Sequence, residues 1–240
     1  MEERSKTLLG QIIKEYIKTA TPVGSRCLEA LNQKPRFGSG QAKSRLGVSS
    51  ATIRNEMAVL EKEGYIAQPH TSAGRVPTEK GYQFFLEHCQ PGKVSDKEAK
   101  EINELLKQSN AVQLELKIKE LAKKIAGFSQ SAVLIGFSDD DFYYTGLSNL
   151  FAQPEFKDPE LIYDLGLVID HLDQAMSKIF EQINGLRVLV GSQNPFGRQC
   201  SVVLSTWQVS RQTGVVGILG PMRMDYEKNL GLLNFIKENI

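Results

Sequence analysis

Cysteine is scarce in this chain of 240 residues, and no two cysteines have the spacing of a metal site. The three cysteines, Cys27, Cys89 and Cys200, lie far apart and are odd in number. This pattern argues against a disulfide framework and against a structural zinc site. Free cysteine usually behaves as a small buried hydrophobic residue. We therefore expect all three to be buried, and we expect neither a metal nor a cofactor.

Long apolar runs are also missing. A run such as residues 215–219 is far shorter than the ~18 residues that a membrane-spanning helix needs. The N-terminus begins with two acids and has no apolar segment of the kind found in signal peptides. A hydrophobic content of 41% is ordinary for a soluble globular protein. We expect a cytoplasmic protein of one large or two modest domains that does not enter a membrane.

The sequence lacks the patterns that mark common enzymes. His70, His88 and His171 stand apart from any cysteine or carboxylate at ligand spacing. There is no GxSxG elbow, and FGSG and GLSNL are not followed by the residues of a phosphate-binding loop. The acids at 139–141 are typical of a turn with solvated charges. The sequence therefore argues against an enzyme.

Charge is divided unevenly along the chain. Residues 1–89 contain 13 Lys and Arg against 9 Asp and Glu, whereas residues 90–240 contain 16 against 19. A basic half joined to an acidic half suggests one part that meets an anion. Two solvated surfaces of slightly different charge would give the same totals, so charge alone does not decide.

Two helices are predicted at the N-terminus. Apolar residues at helical spacing predict an amphipathic helix that ends near Thr19, because Pro22 disfavours helix in the residue before it. The second helix is either residues 24–31 or a turn at 41–46, since a loop rich in Gly and Pro lies at 32–43. The cations in and beside this loop are Lys34, Arg36, Lys43 and Arg45, and they are either placed to contact phosphates or simply solvated.

The stretch SSATIRNEMAVLEKEGYIAQ predicts the best-defined helix, over residues 50–64. Ser49 or Ser50 can cap its start, and Gly64 ends it. An apolar stripe leaves short polar side chains and a cation elsewhere on the first half, the composition of a helix that enters a major groove. The candidate contacts to bases and phosphates are Ser49, Ser50, Thr52, Arg54 and Asn55.

A polar stretch, HTSAGRVPTEKGY, follows this helix at residues 70–82. A strand is predicted before it at 65–68, and a strand or a helix after it at 82–86. Two helices, a groove-sized helix and a hairpin make a winged helix-turn-helix, in which the hairpin is the wing. A small helical bundle with a surface hairpin is the alternative. The candidate wing contacts are His70, Thr71, Ser72 and Arg75.

The second half predicts strands at 131–137, 187–191, 201–205 and 215–219, with helices at 159–183 and 225–240. A charged segment at 97–125 favours helix. The sequence therefore predicts an α+β multidomain protein. Its parts are a DNA-binding domain at 1–90, a helical linker at 91–127 and an α/β domain at 128–240.

Four motifs together resemble the bacterial family of heat-inducible transcription repressors, HrcA. They are PVGSR at 22–26, residues 49–82 with PHTSAGRVPT, GLSNLFAQPEF at 146–156 and GPMRMDY within 217–233. The resemblance implies a winged helix followed by a GAF-like α/β domain, and it adds Ser25 and Arg26 as DNA contacts. It further implies a homodimeric repressor of chaperone operons. Such a repressor binds an inverted-repeat operator, leaves it under heat stress and has chaperonin as a partner.

The chain departs from the family after the predicted strand at 134–137. Residues 138–141 lead almost directly into GLSNLFAQPEF, where the family has a long segment that includes an inserted dimerisation domain. This chain is therefore similar to a shortened member, whose dimerisation uses another surface. The expected function is repression of heat-shock operons. The alternative is a winged-helix regulator controlled by a small molecule bound to the GAF-like domain.

Overall fold

A computed structural model describes residues 1–33, 49–107, 114–138, 141–209 and 212–239. The loop cations Lys34, Arg36, Lys43 and Arg45 lie outside these ranges, as do the alternative second helix at 41–46 and two of the acids at 139–141. The chain divides into two compact units, Met1–His88 and Cys89–Ile240.

In its described residues, 1–33 and 49–88, the first unit contains four helices and a short antiparallel sheet. The helices are α1 (Glu3–Thr19), α2 (Ser25–Gln33), α3 (Ser50–Lys62) and α4 (Glu79–Leu86), and the strands are β1 (Ile66–Ala67) and β2 (Val76–Pro77). The predicted end of the first helix at Thr19 is confirmed, and the left-handed Ala20 follows it. The segment 82–86 is helical because Thr78 caps α4 by accepting from the Gly81 N–H.

The core of the first unit is the apolar stripe of α3 together with those of α1 and α2. Ile53 and Leu60 are fully buried, as is Leu28 from α2. Helix α1 also reaches α3 through polar groups, since Glu56 accepts from the Ser5 hydroxyl at 2.7 Å. The stripe predicted for the groove-sized helix is thus confirmed as its buried side.

The described part of the second unit is a five-stranded antiparallel sheet with helices, in strand order β4-β3-β7-β6-β5. Its strands are β3 (Ala132–Gly136), β4 (Phe142–Thr145), β5 (Arg187–Val190), β6 (Cys200–Val209) and β7 (Gln212–Pro221). Its helices are α5 (Asp96–Lys107), α6 (Leu114–Ser129), α7 (Leu147–Phe151), α8 (Pro159–Asp170), α9 (Leu172–Gln182) and α10 (Tyr226–Asn239). Short 3-10 turns lie at Pro154–Lys157 and Gly191–Gln193.

Alternate residues of this sheet face two different helical layers. Leu134 and Val202 face a cluster that includes Met176 of α9. The other face of β6 meets α10, where the Ser201 and Tyr226 hydroxyls are 2.9 Å apart. Because both faces are covered, the strands are nearly continuous apolar runs, which is why four of the five were predictable.

Two elements of the second unit differ from the sequence predictions. Strand β4 was not predicted, because its side chains are only partly buried and give no alternating pattern. The helix expected at 159–183 is two helices, because His171 has the non-helical dihedrals φ −115° and ψ 33°. Apolar periodicity continues on both sides of His171, so the pattern did not mark the break.

Two of the sequence motifs meet in one contact. The Arg223 guanidinium, from GPMRMDY, donates to both carboxylate oxygens of Glu155, one at 3.1 Å, and to Gln153 Oε1 at 2.7 Å. Both partners belong to GLSNLFAQPEF. The Arg223 side chain is 12% exposed, so this is a mostly buried ion pair that ties the segment before α10 to the turn after α7.

The cysteines differ in burial, so the expectation that all three are buried was wrong. Cys200 is buried in β6, and burial raises the pKa of its thiol to about 12. Cys27 is exposed, and its Sγ lies 3.9 Å from Glu15 Oε1 of α1. In the part of the chain that the structure describes, no helix is both long and apolar enough to cross a bilayer.

Candidate nucleic-acid interface

Helix α3 presents an exposed side opposite its buried stripe. Ala51, Arg54, Asn55 and Ala58 are all exposed and follow one another at helical spacing. At ~1.5 Å per residue the helix is ~20 Å long, enough to cross a major groove ~12 Å wide. This side offers a guanidinium and an amide, and none of its four residues is acidic.

The start of α3 is fixed by two serines with different tasks. Ser49 is the cap, since its hydroxyl accepts from the Thr52 N–H at 3.3 Å. Ser50 instead faces α2, where its N–H donates to Glu29 Oε1 at 3.2 Å and its hydroxyl donates to Ser25 at 2.9 Å. Of these two candidates, only Ser49 remains exposed.

Ser25 connects the first turn of α2 to the exposed side of α3. It is 9% exposed, and its hydroxyl accepts from Ser50 Oγ and from Arg54 Nε, the latter at 3.2 Å. Arg54 is thereby held at its Nε edge while the residue stays exposed. The geometry gives Ser25 the task of orienting Arg54.

The two acids of α3, Glu56 and Glu61, are each paired with an arginine of the same unit. Glu56 accepts from Arg4 at 2.8 Å, and Glu61 accepts from Arg75 Nη2 at 2.9 Å. The pairs reduce the negative charge that α3 would otherwise present to an anion.

The hairpin between β1 and β2 places His70, Thr71 and Ser72 at its exposed turn. The Ala73 N–H closes the turn on the His70 carbonyl at 2.8 Å. Gln68 supports it, since its amide donates to the carbonyls of Thr71 at 2.9 Å and Ala73 at 3.0 Å. The three candidate wing residues are thus held by backbone contacts with their side chains outward.

Arg75 lies at the base of the hairpin and not at its tip. Its N–H and C=O pair with those of Val23 at 2.9 and 2.8 Å. Gly74 allows this approach, because a Cβ there would be 2.5 Å from the Val23 carbonyl. A glycine is needed here for close contact between two backbones.

These elements enclose a cleft of about 440 Å³ in the first unit. Three arginines line it, Arg26, Arg54 and Arg75, and none of its described lining residues is acidic. Ser25 and Ser72 line it as well. The remaining candidates lie outside its lining; they are Ser49, Ser50, Thr52, Asn55, His70 and Thr71. Three guanidinium groups around one cleft suit a phosphate, which arginine binds with paired donors.

Sequence reasoning missed three residues that hold the interface, Glu29, Glu61 and Gln68. Glu61 and Arg75 are fourteen positions apart, and Glu29 meets Ser50 across twenty-one. No periodicity connects such pairs, because they meet only after the helices pack. Gln68 is the last residue of the predicted strand at 65–68, and only the folded turn shows which groups its amide bonds.

The chain matches a protein-family model. The family described as HrcA protein C terminal domain matches residues 84–230. The match begins in α4 and ends in α10, so it covers more than half of the chain and all five strands of the larger sheet.

Two named relatives are similar over the whole chain. A protein of Brevibacillus brevis, named heat-inducible transcription repressor HrcA, is 27% identical to this chain. The alignment is 342 residues long and covers 100% of this chain and 97% of the relative. A protein of the same name from Desulfitobacterium hafniense is 26% identical over 345 residues, covering 100% and 96%. This chain has 240 residues, so both relatives are longer over the same extent.

One solved structure is similar in fold. A crystal structure described as a hypothetical protein matches with a TM-score of 0.69 at 18% identity, covering 100% of both chains. At this identity the likeness concerns the fold alone.

Proposed function

This chain belongs to the HrcA family, and on that premise we propose that it is a DNA-binding transcriptional repressor of heat-shock genes. The observation that carries DNA binding is the cleft lined by Arg26, Arg54 and Arg75 without an acid among its described lining residues. Cations clustered beside an exposed helix provide the charge that binds a phosphate backbone.

In this proposal the first unit is a winged helix whose α3 enters the major groove. The exposed Arg54 suits the O6 and N7 acceptors of guanine, and the exposed Asn55 suits adenine. Ser49 and Thr52, at the N-terminus of α3, lie near the phosphates there. Ser50 and Ser25 act indirectly by positioning the helix and the Arg54 guanidinium.

The hairpin acts as the wing and follows the flank of the site. His70, Thr71 and Ser72 are exposed at its turn, where they contact the adjoining backbone or minor groove. Arg75 and Arg26 line the cleft and bind phosphates, so they contribute affinity without sequence preference.

Two copies related by a twofold axis would place two α3 helices in successive major grooves, ~34 Å apart. This arrangement requires an inverted-repeat operator, and the bound dimer blocks initiation. The five-stranded antiparallel sheet with helices supports a GAF-like second unit, with a reduced insertion in the shortened chain. Heat release follows from marginal folding stability, because unfolded chains leave the DNA-competent population. In this proposal chaperonin is the partner that refolds unfolded chains in the cytoplasm, so that they can bind DNA again.

A footprint of the purified full chain on the DNA upstream of its own gene tests the function. We expect protection of two half-sites one helical turn apart, and a complex mass of two chains per duplex. Mild heating should release the DNA with no ligand added. Equal affinity for an unrelated duplex would contradict the repressor proposal, and a mass of one chain per duplex would contradict the dimer.

A further inference from the structure

The second unit contains a cavity of about 190 Å³ that the proposed DNA-binding role does not use. It lies where the end of α9 meets β5 and the Gly191–Gln193 turn after β5. Its lining comes from these three segments, from Asn194 and Pro195 directly after the turn, and from Leu204, which pairs with Arg187 in the β5–β6 register. Neighbouring segments between residues 178 and 204 thus form one partly open pocket.

The inner wall of this cavity is apolar. Ile179 and Leu204 are both 2% exposed, and Ile183 and Leu189 complete the wall as partly buried residues. A cavity of about 150 Å³ can hold a benzene molecule. The cavity therefore has room for an aromatic ring or a branched chain carrying one polar group.

The rim of the cavity is positive. Lys178 and Arg187 both line it and both are exposed, whereas the remaining described lining residues are neutral. An ammonium and a guanidinium beside an apolar wall select an anion with an apolar body. A carboxylate fits best, because arginine pairs with it through two parallel hydrogen bonds.

At the same cavity, the N–H donor of a buried side-chain amide has no hydrogen-bond partner among the described residues. Asn194 lines the cavity and is 6% exposed, and its Oδ1 accepts from the Phe196 N–H at 3.2 Å. Its Nδ2 has no hydrogen-bond partner among the described residues. Buried amides are rarely left in this state, and one beside a pocket is a donor that a ligand can use.

We propose that this cavity binds a small monocarboxylate with an aromatic or branched apolar body. The carboxylate lies between Lys178 and Arg187, and the body rests against Ile179 and Leu204. The Asn194 amide supplies a further donor. This site is separate from the arginine cleft of the first unit, so the proposal stands or falls independently of DNA binding.

Benzoate is the first probe, with benzyl alcohol as its uncharged analogue and benzylamine as its cationic analogue. The full chain is titrated by calorimetry, and its thermal unfolding is followed through Trp207, which is the only tryptophan and is 3% exposed in β6. We expect saturable binding of benzoate and a rise in Tm of about 5 to 10 °C at a hundredfold excess over Kd. Benzyl alcohol should bind at least about tenfold more weakly, and benzylamine more weakly still.

Two variants locate the site. Lys178→Gln and Arg187→Gln should each weaken benzoate binding by about tenfold, because each removes a charged partner. Lys123→Gln is the control, since Lys123 is exposed on α6 and does not line the cavity. No saturable binding of benzoate, equal binding of benzyl alcohol, or unchanged binding in both variants would overturn the proposal. If a variant fails to fold, the comparison of the three probes on the unmodified chain decides.

Discussion

Each unit contains an arginine paired with a glutamate, and the two pairs differ in their surroundings. In the second unit, Arg223 donates to both oxygens of Glu155, and the two side chains are 12% and 23% exposed. In the first unit, Arg75 directs Nε and Nη2 to a single oxygen of Glu61, with exposures of 20% and 34%. We call the Arg223–Glu155 pair closed, because the arginine uses both carboxylate oxygens. The Arg75–Glu61 pair leaves one carboxylate oxygen without a bond to Arg75.

The neighbours extend this difference. Arg75 lines the cleft together with Arg26 and Arg54, and none of the described lining residues is acidic. Arg223 gains a neutral partner in Gln153. If the first unit binds DNA as proposed, a phosphate can replace Glu61 as the partner of Arg75, whereas the more buried Arg223 pair is not available to it. The comparison therefore predicts an exchangeable contact in the first unit and a structural one in the second.

The largest effect is expected where the first unit depends on close backbone approach. Gly74→Ala places a Cβ 2.5 Å from the Val23 carbonyl, so the hairpin must move and the pairing of Arg75 with Val23 is lost. We expect DNA affinity to fall by at least tenfold, with a loss of about 2–4 kcal/mol in unfolding free energy. Fluorescence anisotropy and urea unfolding measure the two.

Gly10→Ala is the matched control for this change. Nothing lies within 4 Å of its added Cβ in the interior of α1, so it should raise stability by about 0.5–1 kcal/mol. Unchanged DNA affinity in Gly74→Ala would show that the wing position does not matter, which contradicts the proposed role of the hairpin.

The second unit should lose stability when its closed pair is opened. Arg223→Ala leaves the partly buried Glu155 without its cation, and we expect a cost of about 2–3 kcal/mol. Urea unfolding followed through Trp207 reports this unit directly, because that residue lies in β6.

Lys228→Ala is the control for removing a cation from the same unit. Its pair with Glu98 spans 3.2 Å and the lysine is 40% exposed, so the loss should stay below about 1 kcal/mol. Equal losses in the two variants would mean that the Arg223 pair is no more structural than an ordinary surface pair.

The sequence predicted what depends on local periodicity. The α3 stripe ending in Leu60 and the apolar strand containing Leu134 follow from residue spacing alone, and both were confirmed. The edge strand β4 was missed, because its side chains are half exposed and carry no alternation. The prediction that Cys27 is buried was wrong. Residue type gives only the average burial of cysteine, whereas the exposure of one side chain depends on its position in the folded helix.

The candidate interface was predictable in its exposed residues and not in its supports. Arg54 and Asn55 follow from the stripe, since residues off it must face outward. The bond from Arg54 to Ser25 and the pairing of Arg75 with Glu61 depend on packing between distant segments. Their roles in binding DNA stay predictions.

Removing a side chain that contacts a base should change the sequence preference of binding, whereas removing a charge alone should weaken binding to all sequences equally. Arg54→Ala is expected to cost about 1–3 kcal/mol of operator affinity and to relax the preference at one base pair of each half-site. Binding across a set of single-base operator variants, measured at two salt concentrations, separates the two effects. The salt slope of the dimer should fall by about 2, since one cation is lost per chain.

Arg198→Ala controls for the loss of an exposed arginine outside the first unit. It should leave both the preference and the slope unchanged. A uniform loss over all operator variants in Arg54→Ala would assign Arg54 to a phosphate and leave base recognition to Asn55.

The smallest change tests whether the Arg75–Glu61 pair is exchangeable. Glu61→Gln keeps a hydrogen-bond acceptor of the same size and removes the charge that competes with phosphate. We expect affinity for DNA to rise about two- to threefold, while unfolding free energy falls by no more than about 0.5 kcal/mol. Anisotropy titrations at low salt resolve this difference, because screening then weakens the charge effect least.

Glu63→Gln is the matched control, because it removes the same charge at an exposed residue just after α3. The Arg75 guanidinium is bonded to Glu61, so this change leaves the pair in place. An equal rise in both variants would mean that only total charge matters. A fall in Glu61→Gln would mean that Glu61 holds Arg75 in the orientation that meets DNA. In that case the Arg75 pair is as structural as that of Arg223, and the difference between the units lies in the cleft alone.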